Sequence, residues 1–304
     1  MNDHDELDWG LRAVALARRT GAPLLACTAG IRTTPGGATG ADLGFSPAPA
    51  PQRIGDLEAA MLADFVLGGA LRARTSREKP MPTLTLSLEL VRPARSAARF
   101  TAHATETAVD GGLGTAAAVL RDEGAAIGHA SATFAVPSRG RQPVLPWDDP
   151  EGIPAVEPLP RADLDEVEAG ALGAMLGTAA DGGAGSSLSW GDRVVEAATT
   201  TAAGDGRATL RFRPAGSVTN RAGAVQGSVL VALATRAARA AAGGPVDVRS
   251  VGVRFADAAH TRTVLHVAAR VEHRTRRTVF VDVQVTQDEA VRAAAGVVCR
   301  VPAT

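Results

Sequence analysis

The chain has 304 residues, enough for two domains of ordinary size, and its 45% hydrophobic content can fill a sizeable core. Aromatic residues make up only 3% and Tyr is absent, so that core is built from Ala, Val and Leu. The 32 basic and 32 acidic side chains cancel, which removes the global field that would draw nucleic acid or an anionic membrane.

The opening MNDHDELDWG is acidic, with neither a basic region nor an apolar core, and does not read as a signal peptide. No run of about 18 apolar residues follows, so no membrane span is expected, and the expectation is a soluble, cytoplasmic protein. Lys79 is the only lysine; the Arg, Ala and Gly excess reads as genomic base composition. Cys27 and Cys299 stand far apart with no metal-ligand spacing around them, so each is expected as a small core residue on a strand, and no metal site is expected.

A short helical pattern at 5–19 is followed by weak strand signals at 24–34 and 42–46. Residues 54–73 then read as a strong helix, with Leu57, Met61, Asp64 and Gly68 on one stripe and Phe65 beside it. Four strand patterns follow. The first, TLTLSLEL, alternates with Leu84, Leu86, Leu88 and Leu90 on one face. RFTAHATETAV, GLGTAAAVLRD and AAIGHASATFAVP come next, joined by DGG and DEG turns suited to hairpins.

Residues 137–160 carry seven prolines and can neither join a sheet ladder nor continue a helix. They mark a boundary between residues 1–136 and 161–304. The second half repeats the order of the first. A short helical pattern at 162–176 precedes weak strand signals at 188–200 and 207–213, and the flexible loop DGGAGSS lies at 181–187. A helix at about 224–242 ends at Gly243-Gly244, and four more strand patterns follow, the last hairpin turning at Asp288-Glu289. Each half therefore reads as an apolar helix wrapped by a curved antiparallel sheet, an α+β arrangement.

This order of elements resembles the hotdog fold, and two copies imply a double hotdog, an internal pseudo-dimer. The stretch Asn220, Gln226-Gly227-Ser228 and Thr235 resembles the 4-hydroxybenzoyl-CoA / phenylacetyl-CoA-type (PaaI-like) thioesterase superfamily. That pattern has an Asn, a His-Gly-Gly six residues later at the helix start, and an acid nine residues after the His. Here Gln replaces the His, Ser228 the second Gly, and Thr235 the acid. The first half departs the other way. Asp64 falls on the acid position, but Gly55 stands nine residues before it and Pro49 six before that.

In the family the site lies between two hotdogs. The resemblance thus implies one composite acyl-CoA thioesterase site, with Asp64 as base or nucleophile, Gly227 as oxyanion donor, and Asn220 and Gln226 positioning water or substrate. Ser228 and Thr235 are weaker candidates for lining the pocket. Arg92, Arg276 and Arg277 are either solvated turn residues or a clamp for coenzyme A phosphates. Coenzyme A enters as part of the substrate, with no separate cofactor. A homodimer of double hotdogs is a further expectation. The competing reading is a non-catalytic acyl-CoA-binding or structural hotdog. A dehydratase is disfavoured, because none of the six histidines sits on either long apolar helix.

Overall fold

The computed structural model describes residues 3–29, 31–34, 42–45, 54–92, 100–149, 153–176 and 189–302. Pro49 and the 181–187 loop lie outside these residues. The first half contains α1 (Asp3–Thr20), α2 (Leu24–Thr28), β1 (Ile31–Thr34), β2 (Asp42–Phe45), α3 (Asp56–Arg74), β3 (Thr83–Leu90), β4 (Phe100–Asp110), β5 (Leu113–Asp122) and β6 (Ala125–Ala135). The second half contains α4 (Glu166–Leu176), α5 (Trp190–Glu196), β7 (Thr199–Gly204), β8 (Arg207–Phe212), α6 (Gly227–Ala242), β9 (Asp247–Phe255), β10 (Leu265–Arg274), β11 (Thr278–Gln287) and β12 (Ala290–Arg300).

All twelve strands form one antiparallel sheet in the order β1-β2-β4-β5-β6-β3-β9-β12-β11-β10-β8-β7. Read from the centre outward, the two halves of that order match strand for strand. The join is β3 against β9, with Thr85 opposite Arg254, Ser87 opposite Gly252 and Glu89 opposite Ser250. The fold class is α+β, as the alternating patterns predict.

The helix α3 is apolar nearly all round, and fifteen of its nineteen residues are buried, so it cannot lie on a wetted surface. It packs on β2 to β6, while α6 packs on β7 to β12. The two helices also touch each other across the join. Gly243 closes α6 with a φ of 66°, the left-handed C-cap expected there. The Asp288-Glu289 turn has both residues at positive φ, as a tight hairpin requires.

Two strand expectations are corrected. Residues 24–28 form the helix α2, so the buried Cys27 lies on a helix, whereas Cys299 is on β12 as expected. Residues 190–196 form α5, started by a Ser189 capping box with Asp192, before β7 begins at Thr199. Both segments are short, five and seven residues, and over so few positions periodicity alone does not separate a helix from a strand.

The proline-rich segment packs down on the first half. Leu145 and Trp147 are buried, and Trp147 meets Phe65 of α3 edge-on at 4.9 Å between ring centroids. Among the described residues, no helix is long and apolar enough to cross a membrane, and no cluster of three or more His, Cys, Asp or Glu is placed to hold a metal ion.

Candidate active site

A cavity of about 480 Å³ lies between the halves, lined from the first by α3, the start of β3 and the proline-rich segment. The second half supplies residues 220–227 and the chain after β9. Its walls are largely apolar, with Phe65, Phe134, Met81, Leu145, Leu230 and Phe255 among them.

Asp64, Asn220, Gln226 and Gly227 all line this one cavity, though more than 150 positions separate the first from the rest. Asp64 stands on α3. The Thr83 hydroxyl, at the first position of β3, donates to its Oδ1 at 2.7 Å. Burial raises the Asp64 pKa above the usual carboxylate range. The Thr83 hydrogen bond and the positive charge of Arg72 pull the other way, so the carboxylate is held in place while it is poorly solvated.

The start of α6 lines the same cavity. Gln226 is the N-cap and Gly227 the first helical residue. A first-turn N–H has no partner within its own helix, so the Gly227 N–H is a donor that the cavity can use, backed by the positive end of the helix dipole. A Cβ on Gly227 would stand 3.2 Å from the Phe255 ring, so glycine keeps this approach open. Gln226 is buried, and its Oε1 has no partner among the described residues. Asn220 Oδ1 accepts from the Ala222 and Ala224 N–H groups at 2.9 and 3.1 Å, which fixes the loop leading into α6 and leaves Nδ2 as its free donor.

The neighbouring Arg221 also lines the cavity and ties its walls together. It donates to the carbonyls of Thr20, Gly21, Pro143 and Val144, joining the end of α1 and the proline-rich segment to the second half. Burial and the nearby Arg72 lower its pKa.

The other candidates lie elsewhere. Thr235 is fully buried and its hydroxyl donates back along α6 to the Ala232 carbonyl at 3.0 Å. Ser228 is fully buried as well, with its hydroxyl unpaired. Arg92 pairs with Asp122 at 2.8 Å. Arg276 and Arg277 are exposed at the β10–β11 turn. None of the five lines the cavity.

The mirror position, at the start of α3, is filled. Gly55 is the N-cap there, and a Cβ on it would collide with the Ser189 hydroxyl. Glu58 in the first turn is buried and accepts from the Gly191 N–H at 2.6 Å and the Ser189 hydroxyl at 3.2 Å. Asp56 pairs with Arg239 of α6, Nη2 to Oδ1 at 3.0 Å. The start of α5 thus covers the helix end that would match the open one at Gly227.

Sequence reasoning missed Thr83 and Arg72. Thr83 opens an ordinary strand pattern and nothing local marks it. Arg72 extends the Asp64–Gly68 spacing by one more turn and was legible in principle from that period.

No family model and no curated protein matches the chain. Among solved structures, a TesB protein from Mycobacterium avium subsp. paratuberculosis is 14% identical, with 92% of this chain and 98% of that one covered at a TM-score of 0.57. A protein assigned as an oleoyl thioesterase from Lactobacillus plantarum is 12% identical, with 83% and 91% covered at a TM-score of 0.53. At these identities the likeness is one of fold. The chain shares its fold, the hotdog fold, with these two proteins.

Proposed function

For a chain with this fold, we propose that it is an acyl-CoA thioesterase, working at one composite site between two hotdogs fused as a double hotdog. The domains run over residues 1–136 and 161–304, with 137–160 joining them. The observation that carries the proposal is the one cavity lined both by a poorly solvated carboxylate from one half and by a helix start from the other.

The chemistry follows from the groups present. Asp64 accepts a proton from a water as the water oxygen attacks the thioester carbonyl carbon. Negative charge then gathers on the carbonyl oxygen, where the Gly227 N–H and the α6 dipole stabilise it. The tetrahedral adduct collapses, the carbon–sulfur bond breaks, and the thiolate of coenzyme A leaves and takes up a proton. The amides of Asn220 and Gln226 orient the water and the thioester. Coenzyme A belongs to the substrate, and no further cofactor enters this scheme.

The test is hydrolysis of a panel of acyl-CoAs by the parent and by Asp64→Asn. The expected result is turnover by the parent and a loss of at least about a hundredfold in the folded variant. Equal activity in the two would reduce Asp64 to a packing residue. A silent panel would favour a non-catalytic binder of CoA esters. Single turnover in H₂¹⁸O separates the two roles of Asp64. A general base puts the label in the product acid, and a nucleophile puts it in the Asp64 carboxylate.

A further inference from the structure

The inward row of β11 is Val279, Val281, Val283 and Val285, all buried. The next inward position is Gln287, which is 0% exposed. A carboxamide at the end of an apolar row has lost its water and must find hydrogen bonds inside the protein. Gln287 finds three. Its Oε1 accepts from the His260 N–H at 2.8 Å, and its Nε2 donates to the carbonyls of His260 at 2.7 Å and Thr263 at 3.0 Å. The side chain thus pairs with the His260 backbone much as a neighbouring strand would.

What it holds is the loop between β9 and β10. A bulge fixes the first end of that loop. Val285 pairs with Ala293 and Thr286 with Val291, so Arg292 is the extra residue of β12. Its carbonyl accepts from the Ala256 and Asp257 N–H groups at 2.9 and 3.4 Å. Gln287 fixes the other end, and between these points Ala256 to Ala259 line the cavity.

The loop in turn carries the approach to α6. Ala224 and His260 form an antiparallel bridge, and the Val225 N–H donates to the Ala259 carbonyl at 2.7 Å. On the other flank Val225 bridges Thr219, and the Gln226 N–H donates to the Val218 carbonyl at 2.9 Å. Gly227 is the next residue. Gln226 makes no side-chain cap bond to α6, so the place of the helix start falls to this backbone pairing. A donor that meets a developing oxyanion has to stand within a fraction of an ångström, and a misplacement of about 1 Å can cost about a hundredfold in rate.

We propose that Gln287 is the positioning residue for the Gly227 N–H. It does not line the cavity; it acts through the 256–263 loop to set where that donor stands as charge develops on the thioester oxygen. This rests on the thioesterase reading of the cavity and adds the residue that aligns its oxyanion donor.

The test compares Gln287→Met with Val281→Ala. The first keeps the length of the side chain and removes its hydrogen bonds. The second opens a hole in the same row and leaves the loop's bonds in place. Both should lose stability, but only the Met variant should lose about tenfold to a hundredfold in kcat on the best acyl-CoA of the panel, with KM within about threefold of the parent's. Amide hydrogen exchange by NMR reads the same linkage without activity. Val225 and Gln226 should exchange at least about tenfold faster in Gln287→Met than in Val281→Ala. In the parent itself the Gln287 side-chain amide protons should be protected together with those two backbone amides, so the linkage is read even if the Met variant does not fold. The proposal is overturned by an unchanged kcat in the folded Met variant, an equal kcat loss in Val281→Ala, unaccelerated exchange at Val225 and Gln226, or side-chain amide protons that exchange freely in the parent. A parent that hydrolyses no acyl-CoA removes the thioesterase reading and this inference with it. An active parent with an unchanged kcat in the Met variant removes this inference alone.

Discussion

Two carboxylates on α3, the buried Glu58 and the half-buried Asp64, are poorly solvated, and their partners set different behaviour for each. Asp64 is desolvated, and Thr83 and Arg72 oppose that effect by favouring its ionised form. Thr83→Val removes one of those supports, so the Asp64 pKa should rise. A base with a higher pKa is protonated at higher pH. The acid limb of kcat/KM is therefore expected to move to higher pH, and a limb that stays put would show that Thr83 does not act on Asp64. Glu58 is pushed up to about 7, chiefly by burial, against the hydrogen bond from Gly191. A carboxyl with a raised folded pKa holds its proton better folded than unfolded. Its contribution is full below the unfolded value of about 4.5 and is lost as pH rises towards about 7, a change on the order of 3 kcal/mol. Glu58→Gln keeps an acceptor for Gly191 and cannot ionise. Unfolding in urea between pH 5 and pH 8 should show a flatter pH dependence for it than for the parent. A slope identical to the parent's would remove Glu58 from the account.

The two central helices are equivalent in position but differ at their starts: the α6 start lines the cavity, whereas the α3 start is covered by α5. At α6 the first-turn N–H groups open to a cavity, with Gly227 leaving room for the Phe255 ring. Gly227→Ala should displace either that ring or the helix start, and a loss of about tenfold to a hundredfold in kcat/KM is expected with the fold intact. Unchanged kinetics would argue against a role for this helix end. At α3 the start of α5 fills the matching place. A Cβ on Gly191 would lie 2.6 Å from Leu57 Cβ, an atom with no rotamer to escape into. Gly191→Ala should therefore cost about 1–3 kcal/mol of stability by denaturant unfolding while the composite cavity keeps its residues. The long helices and eight long strands were legible because a period of 3.6 or 2 runs through enough residues to be distinctive. The segments now seen as α2 and α5 were not, since five or seven residues are too few to tell one period from the other.

At the scale of the whole molecule, the β3–β9 pairing and the α3–α6 contact make one body of two similar halves. Arg221 and the proline-rich segment add a second tie on the side of the cavity. Neither half alone carries both Asp64 and Gly227. Expressed as separate chains, residues 1–160 and 161–304 should each fail to hydrolyse acyl-CoA, and activity should return only when the two are produced together. Turnover by either half alone would dismiss the composite site. The sequence by itself determined the repeat, the two apolar helices and the hairpin turns, which follow from periodicity and turn chemistry local along the chain; the pairing of an acid in one half with a helix start in the other came from the family resemblance. Only the tertiary structure decided that Thr83 holds Asp64, that Arg72 pairs with Asp148 beside Gly68 and Gly69, and that α5 covers the start of α3. Each of those depends on side chains brought together across the sheet or between the halves, and burial and contact of that kind leave no period in the sequence.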